Sequence, residues 1–219
     1  MNNLDPGNII QKYIQDVSTK EDPVLAELSR YTYLKVVHPQ MISGQVQGKL
    51  LEMFSSMLNP SHILEIGTFT GYSAICLARG LKPGGKLVTI DINDELTEKA
   101  EEFFVKAGLK EKIDIITGDA LKIIPSLQQQ FDLVFIDAEK EQYIEYYEIS
   151  LSKLKPGGFI LADNTLWGGK VLEKSDKWDS ATRAINDFNF HVQNDPRVDN
   201  VLIPLRDGLT IIRLHESID

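Results

Sequence analysis

The stretch Leu64-Glu65-Ile66-Gly67-Thr68-Phe69-Thr70-Gly71-Tyr72-Ser73 decides the fold, because an apolar run passes through a glycine loop into the start of a helix. Such a unit is typical of open parallel sheets that bind ligands at the carboxyl ends of their strands. The G-x-G-x-x-G pattern of dinucleotide sites is absent. Phe69 stands where a glycine would admit a pyrophosphate. The loop therefore favours a ligand that has a ribose but no pyrophosphate, such as an adenosyl compound.

The rest of the chain alternates short apolar runs with helical segments. Apolar runs at 63–66, 87–90, 113–116, 133–136 and 159–162 are separated by helical segments at 72–80, 94–107, 120–127 and 142–154. This alternation predicts an α/β fold with a mostly parallel sheet covered on both faces. Lys82–Gly85 and Lys155–Gly158 are interpreted as helix-to-strand connections, in which glycine ends the helix.

Both ends of the chain depart from this pattern. Two helices are predicted at Pro6–Val17 and Pro23–Val37, and a third at Gln45–Leu58. After a helix at 180–192, two apolar runs flank Arg206-Asp207-Gly208, which predicts a tight hairpin that brings in an antiparallel strand. Pro204 cannot donate to a strand ladder, so its strand is expected at the sheet edge.

Composition excludes several classes of protein. The chain has 219 residues, 23 basic and 32 acidic, and a net charge of −9, which argues against broad, phosphate-driven binding of nucleic acid. No apolar run approaches the length of a membrane span, and the first seven residues lack the pattern of a secretory signal. The single cysteine, Cys76, cannot form an internal disulfide, which fits a reduced, cytoplasmic location.

Every predicted parallel strand contains or ends at an acidic residue: Glu65, Asp91, Asp119, Asp137 and Asp163. The carboxyl ends of parallel strands share one edge, so these carboxylates should meet there. Hydroxyls, a ligand ammonium or a bound cation would offset their repulsion. Any one aspartate could equally cap the following helix, but capping explains all five poorly. Asp91, twenty residues after Gly71, has the position of a carboxylate that accepts hydrogen bonds from a ribose.

A second group of side chains suits a hard cation. Asp137, Asp163 and Asn164 offer three oxygen ligands at neighbouring strand ends, which suits Mg²⁺, Ca²⁺ or Mn²⁺. Asp163-Asn164 taken alone could be an ordinary turn. Lys140 could lie over the same pocket and serve as a base, although spacing alone favours a solvated loop lysine.

Four motifs give the chain a close resemblance to a known family. They are the stretch quoted first, Gly118-Asp119-Ala120, 131–140 and 155–167. From about Met41 to the C-terminus the chain resembles the cation-dependent, S-adenosylmethionine-dependent O-methyltransferases, the family of caffeoyl-CoA and catechol O-methyltransferases and their small bacterial relatives. The resemblance implies a Rossmann-like class I methyltransferase fold with a seven-stranded, mostly parallel sheet. It also implies one domain over 1–219, with a helical cap at 1–40 and a catalytic core at 41–219.

The resemblance also implies roles for individual residues. Asp137, Asp163 and Asn164 would bind the cation, most often Mg²⁺. Lys140 would act as the base, which reverses the expectation from spacing, and Trp167 would line the acceptor site. The S-adenosylmethionine pocket would be lined by Met41, Ser43, Glu65, Gly67, Thr68, Ser73, Asp91, Asp119, Ala120 and Asp137. The chain departs from plant members at Gly44–Gln47, which is less acidic, and at Glu139.

These roles imply methyl transfer to one hydroxyl of a catechol-like small molecule. The resemblance also implies that the N-terminal helices cover the acceptor pocket or build a homodimer. One alternative keeps the cofactor and metal but methylates a hydroxylated uridine in tRNA, which would need a basic patch formed by Lys12, Lys20, Arg30, Lys35 and Lys49. A nucleotide-binding module without catalysis is disfavoured by Lys140 beside all three proposed metal ligands. An NAD-dependent oxidoreductase is disfavoured because the G-x-G-x-x-G loop of dinucleotide sites is absent.

Overall fold

A computed structural model describes residues 6–216 of the chain. The flanking segments 1–5 and 217–219 lie outside the described residues, and the first of them contains most of the stretch inspected for a secretory signal. Within the described part, no helix combines the length and apolar character that crossing a membrane requires.

One seven-stranded sheet forms the centre of the fold. Its strands are β1 His62–Ile66, β2 Lys86–Asp91, β3 Ile113–Thr117, β4 Phe131–Ile136, β5 Leu154–Asp163, β6 Val198–Ile203 and β7 Leu209–Leu214. The order across the sheet is β3-β2-β1-β4-β5-β7-β6, and only β7 runs antiparallel to the other six strands. The prediction of five parallel strands followed by an antiparallel hairpin is confirmed, with β6 at the edge as Pro204 indicated.

Helices cover both faces of this sheet. They are α1 Pro6–Val17, α2 Pro23–Lys35, α3 Gly44–Leu58, α4 Tyr72–Arg79, α5 Thr97–Lys106, α6 Ala120–Ile123, α7 Tyr143–Lys153 and α8 Ser180–Gln193. Successive side chains of a strand point to opposite faces. Accordingly Ile63 packs with the α2–α5 layer, while Leu64 packs with the layer of α6, α7 and α8. Burial on both sides explains why the parallel strands are apolar without alternation.

Three local predictions were wrong in detail. The helix expected at 120–127 ends at Ile123 and continues as a 3₁₀ turn at Ile124–Ser126, because Pro125 has no N–H to donate. The segment 155–158 is part of β5 rather than a connection, and the pairing of β4 with β5 shifts register between Phe131 and Leu133.

The third difference is the C-terminal hairpin, whose loop spans residues 204–208 rather than being a tight turn. Asp207 O accepts from Leu166 N at 2.8 Å, and Gly208 O accepts from Thr165 N at 3.1 Å. These bonds fasten the loop to the segment that follows β5. The loop therefore adopts a longer conformation with left-handed residues at Arg206 (φ 50°) and Gly208 (φ 87°).

The first helix lies on α3 with an apolar face exposed. Its side chains Ile9, Ile10, Tyr13 and Val17 are each at least half exposed. The side-chain amide of Gln45 donates to the carbonyl of Gln15 at 3.0 Å and holds the end of α1 against the start of α3.

Candidate active site

The strand register places the predicted site residues in one row. Ile66 of β1 pairs with Ile90 of β2 and with Ile136 of β4, and Ile136 pairs with Ala162 of β5. The residues that follow these four positions are Gly67, Asp91, Asp137 and Asp163. They therefore stand side by side at the carboxyl edge of the sheet, where open α/β sheets bind ligands.

Asp91 shapes the glycine loop. Its Oδ2 accepts hydrogen bonds from the backbone N–H groups of Thr68 at 2.9 Å and Phe69 at 2.8 Å, while Oδ1 accepts from Asn93 N at 3.0 Å. These bonds hold Phe69 in a left-handed conformation (φ 49°). Binding of a ribose by Asp91 stays a prediction, and it would have to coexist with this structural role.

Gly67 lets two strand ends come together. A Cβ atom at this position would lie 1.9 Å from the carbonyl oxygen of Asp137, and the residue has φ 100°. Only glycine meets both conditions. The close approach brings the glycine loop beside the Asp137 segment, so the predicted cofactor site and the predicted cation site are adjacent.

Glu65 is a fully buried carboxylate on β1. Its Oε2 accepts from Thr89 Oγ1 at 2.6 Å, but its buried Oε1 has no partner among the described residues. Burial, together with the nearby carboxylates of Asp137 and Asp91, raises the pKa of Glu65 to about 8. An unpaired buried polar atom is costly. A ligand ammonium that donates to Oε1 would remove this cost.

The helix that follows the glycine loop has a free N-terminus. Gly71 is the N-cap residue of α4 with φ 85°, and no side chain of the described residues caps this end. The first turn contains Ser73, whose side chain is largely buried. An uncapped helix N-terminus favours a carboxylate. With the free oxygen of Glu65 nearby on β1, these groups fit the amino-acid end of S-adenosylmethionine.

Thr68, Met41 and Ser43 have different environments. Thr68 is buried, and its hydroxyl lies 2.6 Å from that of Thr89. Met41 ends the 3₁₀ turn Pro39–Met41 and is more than half exposed, whereas Ser43 is buried just before α3. Their predicted roles in the cofactor pocket stay predictions.

Asp119 is the N-cap residue of α6. It accepts from Leu121 N at 3.0 Å and forms an ion pair with Lys122 at 3.0 Å. The hydrogen bond from Lys122 holds the pKa of Asp119 below its usual value. Asp119 therefore caps the following helix, as the alternative interpretation of these aspartates proposed. Ala120 is buried in the first turn of the same helix. Their predicted contact with the cofactor stays a prediction.

Lys140 lies beside the candidate cation ligands. Its Nζ donates to Asp137 Oδ1 at 3.0 Å and to the Tyr143 hydroxyl at 2.8 Å. The Tyr143 hydroxyl in turn donates to the carbonyl of Asp163 at 3.0 Å. Lys140 is 9% exposed. It is therefore a buried member of the site and not the solvated loop lysine that spacing alone favoured.

The carboxylates of Asp163 and Asp137 fit a divalent cation. Asp163 is buried, and its Oδ1 accepts from Asn164 N at 2.8 Å. Burial and the neighbouring charge of Asp137 raise the pKa of Asp163. A cation would relieve this repulsion. With the side-chain oxygen of Asn164, the two carboxylates would offer an oxygen-only donor set, which suits a hard cation such as Mg²⁺.

Trp167 lies next to the lysine. Lys140 Nζ is 6.0 Å from the centroid of the indole ring, and Lys170 Nζ is 5.6 Å from it. The indole N–H is buried, and the part of the chain that the structure describes offers it no acceptor. The half-buried ring and its free donor can form one wall of an acceptor pocket.

Sequence reasoning missed three residues of this site: Gln47, Tyr143 and Arg206. Gln47 Nε2 donates to Asp163 Oδ2 at 2.5 Å. Arg206 Nη1 donates to Gln47 Oε1 at 3.4 Å. One signal was available for Gln47, which precedes Leu51 by four residues and shares its buried face of α3. Sequence offered no comparable signal for Arg206.

Comparisons with known proteins relate the chain to a known family. The sequence profile of the O-methyltransferase family matches residues 15–215. A caffeoyl-CoA O-methyltransferase of Eucalyptus gunnii is 34% identical over 221 residues, which cover 94% of this chain and 88% of the relative.

Two solved structures have the same fold. The O-methyltransferase TomG of Streptomyces achromogenes, involved in tomaymycin synthesis and solved in complex with SAM, has a TM-score of 0.89 at 31% identity, covering 98% of this chain and 100% of TomG. An O-methyltransferase of Bacillus cereus in complex with SAH has a TM-score of 0.86 at 28% identity, covering 94% and 97%. By its sequence and its fold, this chain belongs to the O-methyltransferase family.

Proposed function

We propose that the protein transfers a methyl group from S-adenosylmethionine to one hydroxyl of a catechol-like small molecule, with a divalent cation held by Asp137, Asp163 and Asn164. One observation carries the proposal. Buried Lys140 is bonded to Asp137 beside the buried carboxylate of Asp163, in the same row of strand ends as the glycine loop. The groups proposed to bind the cofactor and to accept the proton therefore share one edge of the sheet.

The cofactor follows from relatives and from this chain's own atoms. TomG and the Bacillus cereus enzyme were solved with SAM and SAH. The unpaired Oε1 of Glu65 supplies an acceptor for the ammonium of the cofactor's methionine part. The uncapped start of α4 supplies N–H donors for its carboxylate.

The mechanism assigns the protein's groups to binding, alignment and proton transfer. When bound, S-adenosylmethionine supplies an electrophilic methyl group, and the cation lowers the pKa of the acceptor hydroxyl. Asp137 and Tyr143 fix Lys140 Nζ in place, and Lys140 accepts or stabilises the hydroxyl proton at that atom. Trp167 bounds the acceptor. Correct alignment of the reactants can contribute about 7–11 kcal/mol.

The acceptor class rests on chemistry and on one relative. Two neighbouring hydroxyls can both reach a cation held by three oxygen ligands, as in a catechol. The Eucalyptus relative is named for caffeoyl-CoA. For the tRNA alternative, the structure weakens the basic patch, because Lys20 pairs with Asp16 and Lys49 pairs with Glu52.

A methyl-transfer screen tests the proposal. Labelled S-adenosylmethionine is incubated with catechols, catechol-bearing acyl-CoA thioesters or tRNA, with and without EDTA. We expect label in a catechol-bearing molecule and loss of turnover with EDTA that Mg²⁺ or Mn²⁺ restores. Undiminished turnover after complete metal removal would contradict the role of the cation. Label in tRNA alone, sensitive to salt, would favour the alternative.

We also propose that the protein is a cytoplasmic homodimer. The exposed apolar side chains of α1 form a surface that a second copy can cover. Single exposed apolar residues are common, but a group of them on one helix is typical of an interaction surface. The cytoplasmic location rests on the single buried cysteine, Cys76, which suits a reducing compartment.

A further inference from the structure

Arg206 has an unfavourable backbone conformation at the tip of the β6–β7 hairpin. Its φ of 50° lies in the left-handed region, which is unfavourable for a residue with a long side chain. Such outliers persist only where the surrounding structure holds them, and they concentrate at functional sites. The contacts of the Arg206 side chain are therefore candidates for what holds this conformation.

The guanidinium of Arg206 fastens the hairpin to the segment before α3. Nη1 donates to the carbonyl of Ser43, and Nη2 donates to the carbonyl of Gln40 at 3.2 Å. These two carbonyls flank Met41, one of the residues proposed to line the cofactor pocket. The conformation of segment 40–43 thus depends on a side chain from the far end of the chain.

The same guanidinium orients the buried side-chain amide of Gln47, which donates to Asp163. Gln47 is 1% exposed, and its two amide atoms have different partners. Its Oε1 accepts from Arg206 Nη1 at 3.4 Å, and its Nε2 donates to Asp163 Oδ2 at 2.5 Å. Because Arg206 can only donate and an ionised Asp163 can only accept, the amide has one satisfied orientation.

We propose that Arg206 and Gln47 are positioning residues that couple segment 40–43 to the cation ligand Asp163. The inference rests on the proposed function and deepens it. A cofactor that orders segment 40–43 would also order Arg206, Gln47 and Asp163, and so tighten cation binding. Thermodynamic linkage requires the reverse effect, in which the cation tightens cofactor binding by the same factor.

The test measures binding and does not depend on turnover. The Kd of Mn²⁺ is determined with and without S-adenosylhomocysteine, for the wild type, Gln47→Leu and Arg206→Ala. We expect Gln47→Leu to weaken Mn²⁺ binding about 10- to 100-fold, as removal of a bond to a metal ligand typically does. Arg206→Ala should abolish the tightening by S-adenosylhomocysteine. Arg213→Ala, which removes an exposed arginine from the same hairpin, should behave as the wild type.

A second pair of variants separates positioning from backbone strain. Arg206→Ala and Arg206→Gly both lack the guanidinium, but only glycine relieves the left-handed backbone. We expect the glycine variant to be the more stable of the two, with the same loss of coupling. Wild-type coupling in Arg206→Gly would overturn the inference. Since Arg206 is exposed, these variants also carry the test if Gln47→Leu does not fold.

Asp163→Asn distinguishes this inference from the proposed function. If Asp163→Asn loses Mn²⁺ binding while Gln47→Leu and Arg206→Ala bind as the wild type does, only the coupling is wrong. If the wild type binds no Mn²⁺, or if Asp163→Asn binds it with the wild-type Kd, both the cation site and the coupling are wrong.

Discussion

At the scale of single residues, the buried, unpaired Oε1 of Glu65 is expected to lower stability in the absence of a ligand. We expect Glu65→Gln to weaken binding of S-adenosylhomocysteine about tenfold or more, because a charge-assisted hydrogen bond contributes about 1.5–3 kcal/mol. The cofactor-free variant should be as stable as the wild type, or about 1 kcal/mol more stable, since it no longer buries an ionisable carboxyl. Calorimetry and urea unfolding measure the two effects.

The effect of Glu65 on stability should depend on pH. Its pKa is about 8 in the folded protein and near 4.5 in the unfolded chain. Between these values the folded state binds more protons, so this group makes stability fall as pH rises. The advantage of Glu65→Gln should therefore grow from pH 5 to pH 8. The exposed Glu111→Gln is the control, and a pH-independent difference would contradict the assignment.

Asp163 should matter for function far more than for folding. In Asp163→Asn we expect Mn²⁺ affinity and turnover to fall about 100-fold or more. This loss exceeds the one expected for Gln47→Leu, which removes only a hydrogen bond to the metal ligand. Stability should change by less than about 1 kcal/mol, because repulsion with Asp137 is lost together with the charge. Electron paramagnetic resonance of Mn²⁺ and urea unfolding decide this, with the exposed Asp176→Asn as control. Parallel loss of fold and binding would refute the ligand role.

Residues such as Asp137 and Asp163 could be predicted from sequence because each follows an apolar run, and parallel strands end at one edge. The environment of Lys140 could not be predicted from spacing, because Tyr143 and Asp137 bury it only after folding. Arg206 lies 163 positions from Ser43 and meets it through tertiary packing alone. Side chains that support a site from distant elements leave no local pattern.

At the scale of elements, Asp132 ties three strands together. Its Oδ2 accepts from Ser61 N at 2.8 Å and His62 N at 2.9 Å, and its Oδ1 accepts from Lys155 Nζ at 2.7 Å. The carboxylate thus joins the start of β1 and the start of β5 to β4. Despite partial burial, these bonds hold its pKa below the ordinary value of 3.8.

We expect Asp132→Asn to lower the free energy of unfolding by about 1–3 kcal/mol at pH 7, from the loss of hydrogen bonds to a charged group. Because the folded-state pKa is depressed, this stability is present above pH 3.8 and is lost as pH falls through the folded-state pKa. The difference between variant and wild type should therefore shrink below pH 3.8 in urea titrations. Asp114→Asn, at the more exposed pair with Lys86, should change stability little. A constant difference down to pH 2 would contradict this assignment.

The elements themselves were largely predictable, since apolar runs of four or five residues mark strands and proline marks helix starts. The α2 helix begins at Pro23 as its sequence indicates. The errors lie where tertiary contacts override local signals. Hydrogen bonds from 165–166 lengthen the hairpin loop, and strand pairing absorbs 155–158 into β5.

At the scale of the whole molecule, we expect the exposed face of α1 to govern assembly. We expect light scattering to give twice the mass of one chain. The double variant Ile10→Glu, Tyr13→Glu should shift the protein toward a monomer, because buried carboxylates without partners oppose association. Val105→Glu, at an exposed apolar residue of α5, should leave the mass unchanged. A monomeric wild type, or a dimer that the double variant leaves intact, would show that α1 is not the interface.

The register shift between β4 and β5 has a consequence for how length changes in the chain are tolerated. The irregularity lies at the start of the pairing, before Leu133 meets Phe159. We therefore expect an extra residue near Gly157 to be absorbed there. An extra residue between Phe159 and Asp163 would turn the Asp163 side chain to the opposite face of the sheet, since side chains alternate. Insertions should therefore be tolerated in the first half of β5, whereas the second half fixes the direction of the Asp163 side chain and should tolerate none.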